Sequence, residues 1–256
     1  VGEGAVAALY FANRLIQLPM GVFGAASAQA SLPSLAEQAA HEDWDAFSAT
    51  LLSVLRMVGF VMLPSAVGLI ALAMPIVSGL FQHGVFDHGS TVMTAQAMSC
   101  YALGLLAYSS NKILTVAFYA LQDTRTPVRL AAEAVIANLL LSVVLMWPFG
   151  LNGIAIGTSA SNAMNACRLA RQLERRLGRA VLAPLSGPLG RIAAASVLMG
   201  TGCWAAHRWV VAGWSPWLGL PSLIVLGLVF YIVSCRLLRV RELATAVRWL
   251  GNRSVL

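Results

Sequence analysis

Arg14, Arg56, Lys112 and Glu133 are charged residues set inside or at the edge of stretches that are otherwise almost wholly apolar. A charge at the centre of a bilayer costs about 2.5 to 3.5 kcal/mol on insertion scales, so such a residue normally faces a polar cavity or a partner. Arg14 stands about nine residues into the first stretch, roughly 13 Å at the helical rise, too deep for easy snorkelling. Its planar fork suits a fixed anion, because a phosphate or carboxylate can be held at two points. The competing role is a pairing with a structural acid or with backbone carbonyls. Lys112, in SSNKILTVAFYA, is a compact point charge midway along the third stretch. It either attracts a phosphate or neutralises Glu133 on the adjacent helix. Glu133 lies shortly after Pro127 and is expected to snorkel to the cytoplasmic interface. Asn138 and Ser142 share a helix face at i, i+4, as do Ile154 and Thr158. Their neutral oxygens can hold a small cation or tie two helices together.

Other chemistry finds no support. The chain has no H-E-x-x-H, G-x-S-x-G, P-loop or G-x-G-x-x-G, and His41, His83, His88 and His207 are scattered over connections. Cys100, Cys167, Cys203 and Cys235 stand singly, without paired spacing, so neither a zinc site nor a disulfide framework is expected. No metal, covalent cofactor or enzymatic activity is expected.

The elements that must position these charges follow from composition. Of 256 residues, 59% are hydrophobic and 11% charged, with a mean hydropathy of +0.76. Soluble domains carry about 25% charged residues, so a soluble enzyme is excluded. The net charge of +7 is better placed on cytoplasmic loops than on nucleic acid. Seven apolar stretches are marked: 6–32, 51–72 with a continuation to 81, 92–121, 128–147, 151–169, 192–211 and 217–235. Runs of about 20 residues span as helices, and transmembrane strands would be near ten and alternating. The expected fold is an all-α, polytopic membrane bundle of about seven transmembrane helices.

Thirteen of the arginines fall on alternate connections and the C-terminal tail, while Arg208 alone lies on the opposite set. The positive-inside rule then places the C-terminus in the cytoplasm and Val1 outside. That placement, with a start lacking Met, leads to the expectation of an upstream part. The first inner connection, SLPSLAEQAAHEDWDAF, runs against the rule with four acids and no Lys or Arg. The arginine-rich stretches 168–179 and 236–253 are either helix extensions on the anionic inner leaflet or solvated helix ends. Pro19, Pro64 and Pro75 interrupt apolar stretches, as broken transporter helices do.

Three strings carry a specific resemblance. ALYFANRLIQLPMGVFGAASAQASLPSLAE, LPSAVGLIALAMPIVSGLFQHGVFD and YALGLLAYSSNKILTVAFYALQDTRTPVRLA are similar, in order, to helices of the MurJ (MviN) family of lipid II flippases. The resemblance implies a fourteen-helix bundle of the multidrug/oligosaccharidyl-lipid/polysaccharide exporter superfamily, with this chain as its C-terminal half. Residues 1–180 would be five helices of the second lobe, and 181–256 two additional helices with a basic tail and a groove for a lipid tail. Function would be the flipping of lipid II, the undecaprenyl-pyrophosphate-linked disaccharide-pentapeptide, across the bacterial inner membrane by alternating access. Arg14 would contact the pyrophosphate, with Lys112, Asn13 and Gln17 lining the same cavity. Many relatives carry acids where this chain has Asn13 and Gln17, so an acid's role does not transfer. Asn138, Ser142, Ile154 and Thr158 fall where some relatives hold sodium, although Ser142 replaces an acid. Coupling would be to sodium or to the membrane potential. Expected partners are lipid II, membrane lipids and the N-terminal lobe of the same protein. The rivals are a flippase of another lipid-linked oligosaccharide and a non-transporting membrane scaffold.

Overall fold

The computed structural model describes residues 4–82, 84, 86–211 and 216–244, all in helices, turns and short connections with no strand among them. The first rod combines α1 (Ala5–Pro19), a wide π-helical turn (Met20–Ala25) and α2 (Ala26–Ala40). Pro19 has no N–H to give the Leu15 carbonyl, and the chain absorbs that loss by winding the next six residues more loosely. Then follow α3 (Trp44–Ala71), α4 (Ala73–Phe81), α5 (His88–Ala102), α6 (Leu105–Ala120), α7 (Arg125–Phe149) and α8 (Leu151–Leu177). A short 3₁₀ turn (Ala183–Leu185) leads into α9 (Ser186–Ala206), which continues as a π-helical turn (His207–Val211), and α10 (Pro216–Leu237) closes the described bundle.

Among the described residues, five segments are long and apolar enough to cross a membrane: Val6–Ala40, Trp44–Ala71, Arg125–Phe149, Ala183–Trp209 and Leu218–Leu237. The other two expected spans are present as helices of different character. The third is broken at Leu103 and Gly104 into α5 and α6, and α8 begins with a polar series through Asn152, Thr158, Ser159, Ser161, Asn162 and Asn165. The expected inner connection 31–47 is also revised. Ala, Leu, Glu and Gln carry the helix on to Ala40, and only residues 41–43 leave it before Asp43 caps α3 by accepting from the Ala46 N–H at 3.0 Å. His88 opens α5 and His207 opens the turn that prolongs α9, rather than standing on connections. His83 and residues 245–256 lie outside the described residues.

The rods pack in a definite order. α1 lies on α5 and α2 on α6, so the first rod runs parallel to the broken third one. The α7–α8 pair is the most extensive in the bundle, and two glycines one helical turn apart set its closeness. A Cβ at Gly153 would sit 2.1 Å from the Leu145 carbonyl oxygen, and one at Gly157 2.9 Å from the Ser142 nitrogen. The break in α5–α6 is served from α8: the Ser159 hydroxyl donates to the Cys100 carbonyl at 2.8 Å, while Gly104 leaves room for the Ser159 backbone. One core cluster joins α1 to α6 with α8, through Phe47, Met62, Met98, Phe118 and Leu169 among others. A second joins α9 and α10 to α3 through Phe60, Ile192, Met199, Cys203 and Tyr231.

Candidate functional site

Ala8, Ala12, Leu15 and Ile16 bury one face of α1. Asn13, Arg14 and Gln17 therefore fall together on the opposite, exposed face. Tyr10 lies one turn before Arg14, and the guanidinium carbon stands 5.6 Å from the centre of its ring, a cation–π contact worth about 0.5 to 1 kcal/mol at an exposed site. No carboxylate among the described residues pairs with Arg14. Its charge is presented on an open face, one turn before the Pro19 interruption, with two neutral hydrogen-bonding side chains beside it.

Lys112 lies half-buried on α6 and makes no ion pair among the described residues. The alternative in which it neutralises Glu133 is overturned. Glu133 accepts from Arg168 on α8 at 2.8 Å and lies 3.6 Å from Arg129 on its own helix. The reason is azimuthal: α7 packs its inner face on α8 and barely meets α6. Arg14 and Lys112 are also not brought together. A Cβ at Gly24 would lie 2.9 Å from the Ser109 hydroxyl, which marks the level where the two parallel rods meet. Arg14 precedes Gly24 by ten residues and Lys112 follows Ser109 by three, so the two cations are separated along the bundle by roughly 20 Å.

Between them runs a polar seam that the sequence reading missed. Asn111 donates through Nδ2 to the Asn162 carbonyl and side-chain oxygen, both at 3.1 Å, and the Asn162 amide donates to the Thr158 carbonyl at 2.9 Å. The signal was available in TSASNAMN, whose polar residues recur on the faces that meet α5 and α6. Arg56 is structural: it reaches the Pro184 carbonyl at 3.4 Å, the turn that starts α9.

Of the candidate cation ligands, Ser142 lies at the α7–α8 interface, with Gly157 against it. The Ser142 and Thr158 hydroxyls are already engaged inside their own helices. Ser142 donates to Asn138 Oδ1 at 3.3 Å and Thr158 to the Ile154 carbonyl at 2.8 Å. This arrangement closes each helix on itself and serves equally as an interhelical seam.

At the opposite end from Arg14, the C-terminal part of α8 and the turn after it gather the acids of three other segments. Arg168 takes Glu133, Arg176 takes Asp123, and Arg179 takes Asp45. Asp123 also caps α7, accepting from the Thr126 N–H at 3.0 Å and hydroxyl at 2.8 Å. The Thr126 N–H, ahead of the hydroxyl and the Arg176 charge, holds the Asp123 carboxyl below the ordinary aspartate value of 3.8. The Ser90 N–H does the same for Asp87 at the start of α5.

A helical bundle of long apolar rods with proline interruptions, part-buried polar seams and an arginine without an acid partner on an open face defines a polytopic helical membrane protein. Residues 1–224 match the family described as "Lipid II flippase MurJ". The chain is 32% identical over 244 residues to the "Probable lipid II flippase MurJ" of Vibrio cholerae, covering 93% of this chain and 46% of that protein. It is 34% identical over 239 residues to the protein of the same name from Rhizobium tropici, covering 90% and 43%. A solved structure, "Lipid II flippase MurJ, inward closed conformation", superposes with a TM-score of 0.75 at 22% identity, covering 93% of this chain and 48% of that one. The chain belongs to the lipid II flippase MurJ family, and it spans about half the length of these relatives.

Proposed function

We propose that this chain is the C-terminal part of a flippase that carries lipid II across the bacterial inner membrane by alternating access, with its C-terminus in the cytoplasm. Residues 1–180 form the lobe that moves, and 181–256 add two helices and a basic tail. The observation that carries the reading is Arg14: a guanidinium with no acid partner among the described residues, on the exposed face of a broken membrane helix beside Asn13 and Gln17. That combination suits a phosphate-bearing headgroup, whose passage through hydrocarbon unaided is prohibitive. Lys112, nearer the cytoplasmic end of the bundle, meets the anion at an earlier position. The N-terminal lobe of the whole protein supplies the facing wall, and membrane lipids surround both. The reaction needs no covalent cofactor. An inward-negative potential assists expulsion of the anionic headgroup by about 2.3 kcal/mol per charge per 100 mV. The α7–α8 residues Asn138, Ser142, Ile154 and Thr158 are the place to test for sodium.

The test is lipid II exposure at the outer face of bacteria depleted of their own flippase and supplied with the whole protein. Wild-type protein restores exposure, Arg14→Ala abolishes it at equal membrane level, and Arg14→Lys restores it in part because charge returns without the bidentate fork. Full transport by Arg14→Ala would defeat the capture role. Failure of wild-type to restore exposure would transfer the cargo to another lipid-linked oligosaccharide, or leave a scaffold.

A further inference from the structure

The α9–α10 hairpin lies against α3 and α4 along a seam of small residues. A Cβ at Gly59 would stand 2.4 Å from Leu189, and one at Gly200 2.3 Å from Val67. Within the hairpin, a Cβ at Gly202 would stand 2.9 Å from Phe230, and one at Gly227 2.9 Å from Cys203. One side-chain hydrogen bond leaves α10 for another helix among the described residues: the Tyr231 hydroxyl donates to the Phe60 carbonyl at 2.7 Å, across 171 residues of sequence.

That carbonyl is free for a definable reason. In a regular helix the Phe60 C=O accepts from the N–H four residues later, and that residue is Pro64, which has none. The neighbouring Ser65 hydroxyl serves Val61 at 2.7 Å, not Phe60. A carbonyl left without a donor in a membrane-embedded helix is costly, so a donor must come from outside the helix. Tyr231 supplies it while 6% exposed, and its ring lies 5.3 Å from that of Phe60 at 45°. The donor of α10 is thus matched to the one carbonyl that Pro64 opens in α3.

We propose that Tyr231 is a positioning residue whose hydroxyl bolts α10, and α9 with it, to the Pro64 turn of α3, so that the hairpin moves as one body with the bundle during transport. The transport step rests on the flippase reading above; the bolt itself does not. The decisive comparison is Tyr231→Phe, which removes only the hydroxyl, in two backgrounds: wild-type and Pro64→Ala. The alanine returns an N–H to the Phe60 carbonyl and makes the hydroxyl redundant, so the two changes should be strongly non-additive.

Hydrogen exchange of the α10 amides of the whole protein in nanodiscs reads the docking equilibrium, and outer-face lipid II exposure reads transport. In the wild-type background Tyr231→Phe should lower α10 protection by roughly three- to fifteenfold, the range of interhelical hydrogen bonds in membranes, and lower lipid II exposure with it. In the Pro64→Ala background the same substitution should change neither. An equal loss of protection in both backgrounds, no loss in either, or undiminished transport alongside lost protection each overturns the proposal. Wild-type protein that exposes no lipid II overturns the flippase reading instead, and the exchange comparison still decides the bolt.

Discussion

Gly153→Ala tests the closeness of α7 and α8 with a single methyl group. The new Cβ would sit 2.1 Å from the Leu145 carbonyl oxygen, 2.3 Å from its carbon and 2.7 Å from the Met146 nitrogen. Real Cβ atoms essentially never come within 3.0 Å of a neighbour, so α8 must retreat from α7 by about an ångström. All three atoms are backbone, and no side-chain rotation relieves them. Forced separation of a packed interface costs about 1 to 3 kcal/mol, partly offset by up to about 1 kcal/mol from the better helix propensity of alanine. The expected net loss is about 1 to 2 kcal/mol. Gly190→Ala is the control, because nothing lies within 4 Å of its new Cβ. It keeps only the propensity gain and should be neutral or slightly stabilising. Unfolding of both variants in mixed micelles, followed by helix signal against denaturant, measures the difference. Equal midpoints for Gly153→Ala and wild-type would refute the claim that backbone contact sets this interface.

Three further outcomes are expected. Asp123 has a depressed carboxyl, so its contribution is complete above the unfolded value of 3.8 and is lost as pH falls through the lower folded one. Asp123→Ala should cost about 1 kcal/mol, the usual worth of a helix cap, and should flatten the stability profile at that acid end in a pH-titrated melt. Glu133→Gln removes the partner of Arg168 and Arg129, both well exposed, and should change stability by no more than about 1 kcal/mol, less at high salt; a larger loss at high salt would contradict the exposed pairing. Ser159→Ala strands the Cys100 carbonyl at the α5–α6 break. It should cost about 1 to 3 kcal/mol and raise hydrogen exchange around Leu103 and Gly104, and unchanged exchange there would show that the break needs no donor from α8.

The helices were legible in the sequence and their azimuth was not. Runs of twenty apolar residues placed the helices, and the charge of Arg14 within the first run singled out a residue that the structure shows exposed and without an acid partner among the described residues. Counting residues from the helix end put Glu133 near the interface, but which helix it faces depends on how α7 is turned against α8, and that comes from Gly153 and Gly157. Their i, i+4 spacing is a known sign of close helix approach and was open to reading. Residues 31–47 were expected as a connection because they fall between two apolar stretches, whereas helix propensity carries α2 on to Ala40. The break at Gly104 has no apolarity signature. It exists because a serine on another helix approaches the backbone there. Pro64 announces that the Phe60 carbonyl lacks a helical donor, yet nothing local names Tyr231, 171 residues away, as the group that satisfies it.

The distribution of charge bears on what Arg14 can do alone. Arg168 and Arg176 at the end of α8, and Arg179 just after it, are each compensated by an acid from a different segment and hold the bundle together, whereas Arg171 and Arg175 make no ion pair among the described residues. Arg14 and Lys112 are likewise without an acid partner among the described residues, and roughly 20 Å of helix separates them. They cannot close on one diphosphate together. A pyrophosphate carries more negative charge than one guanidinium can neutralise, so firm capture at Arg14 requires cations from beyond the face described for α1. The reading therefore makes a sharp demand on the whole protein: a basic residue of the facing lobe must come within ion-pairing reach of the same anion as Arg14 in one conformation and leave it in the other. Separation of that pair on opening would release the headgroup. Cysteines placed at Arg14 and at the facing cation should cross-link in only one state, and a cross-link rate independent of state would remove alternating access from the account.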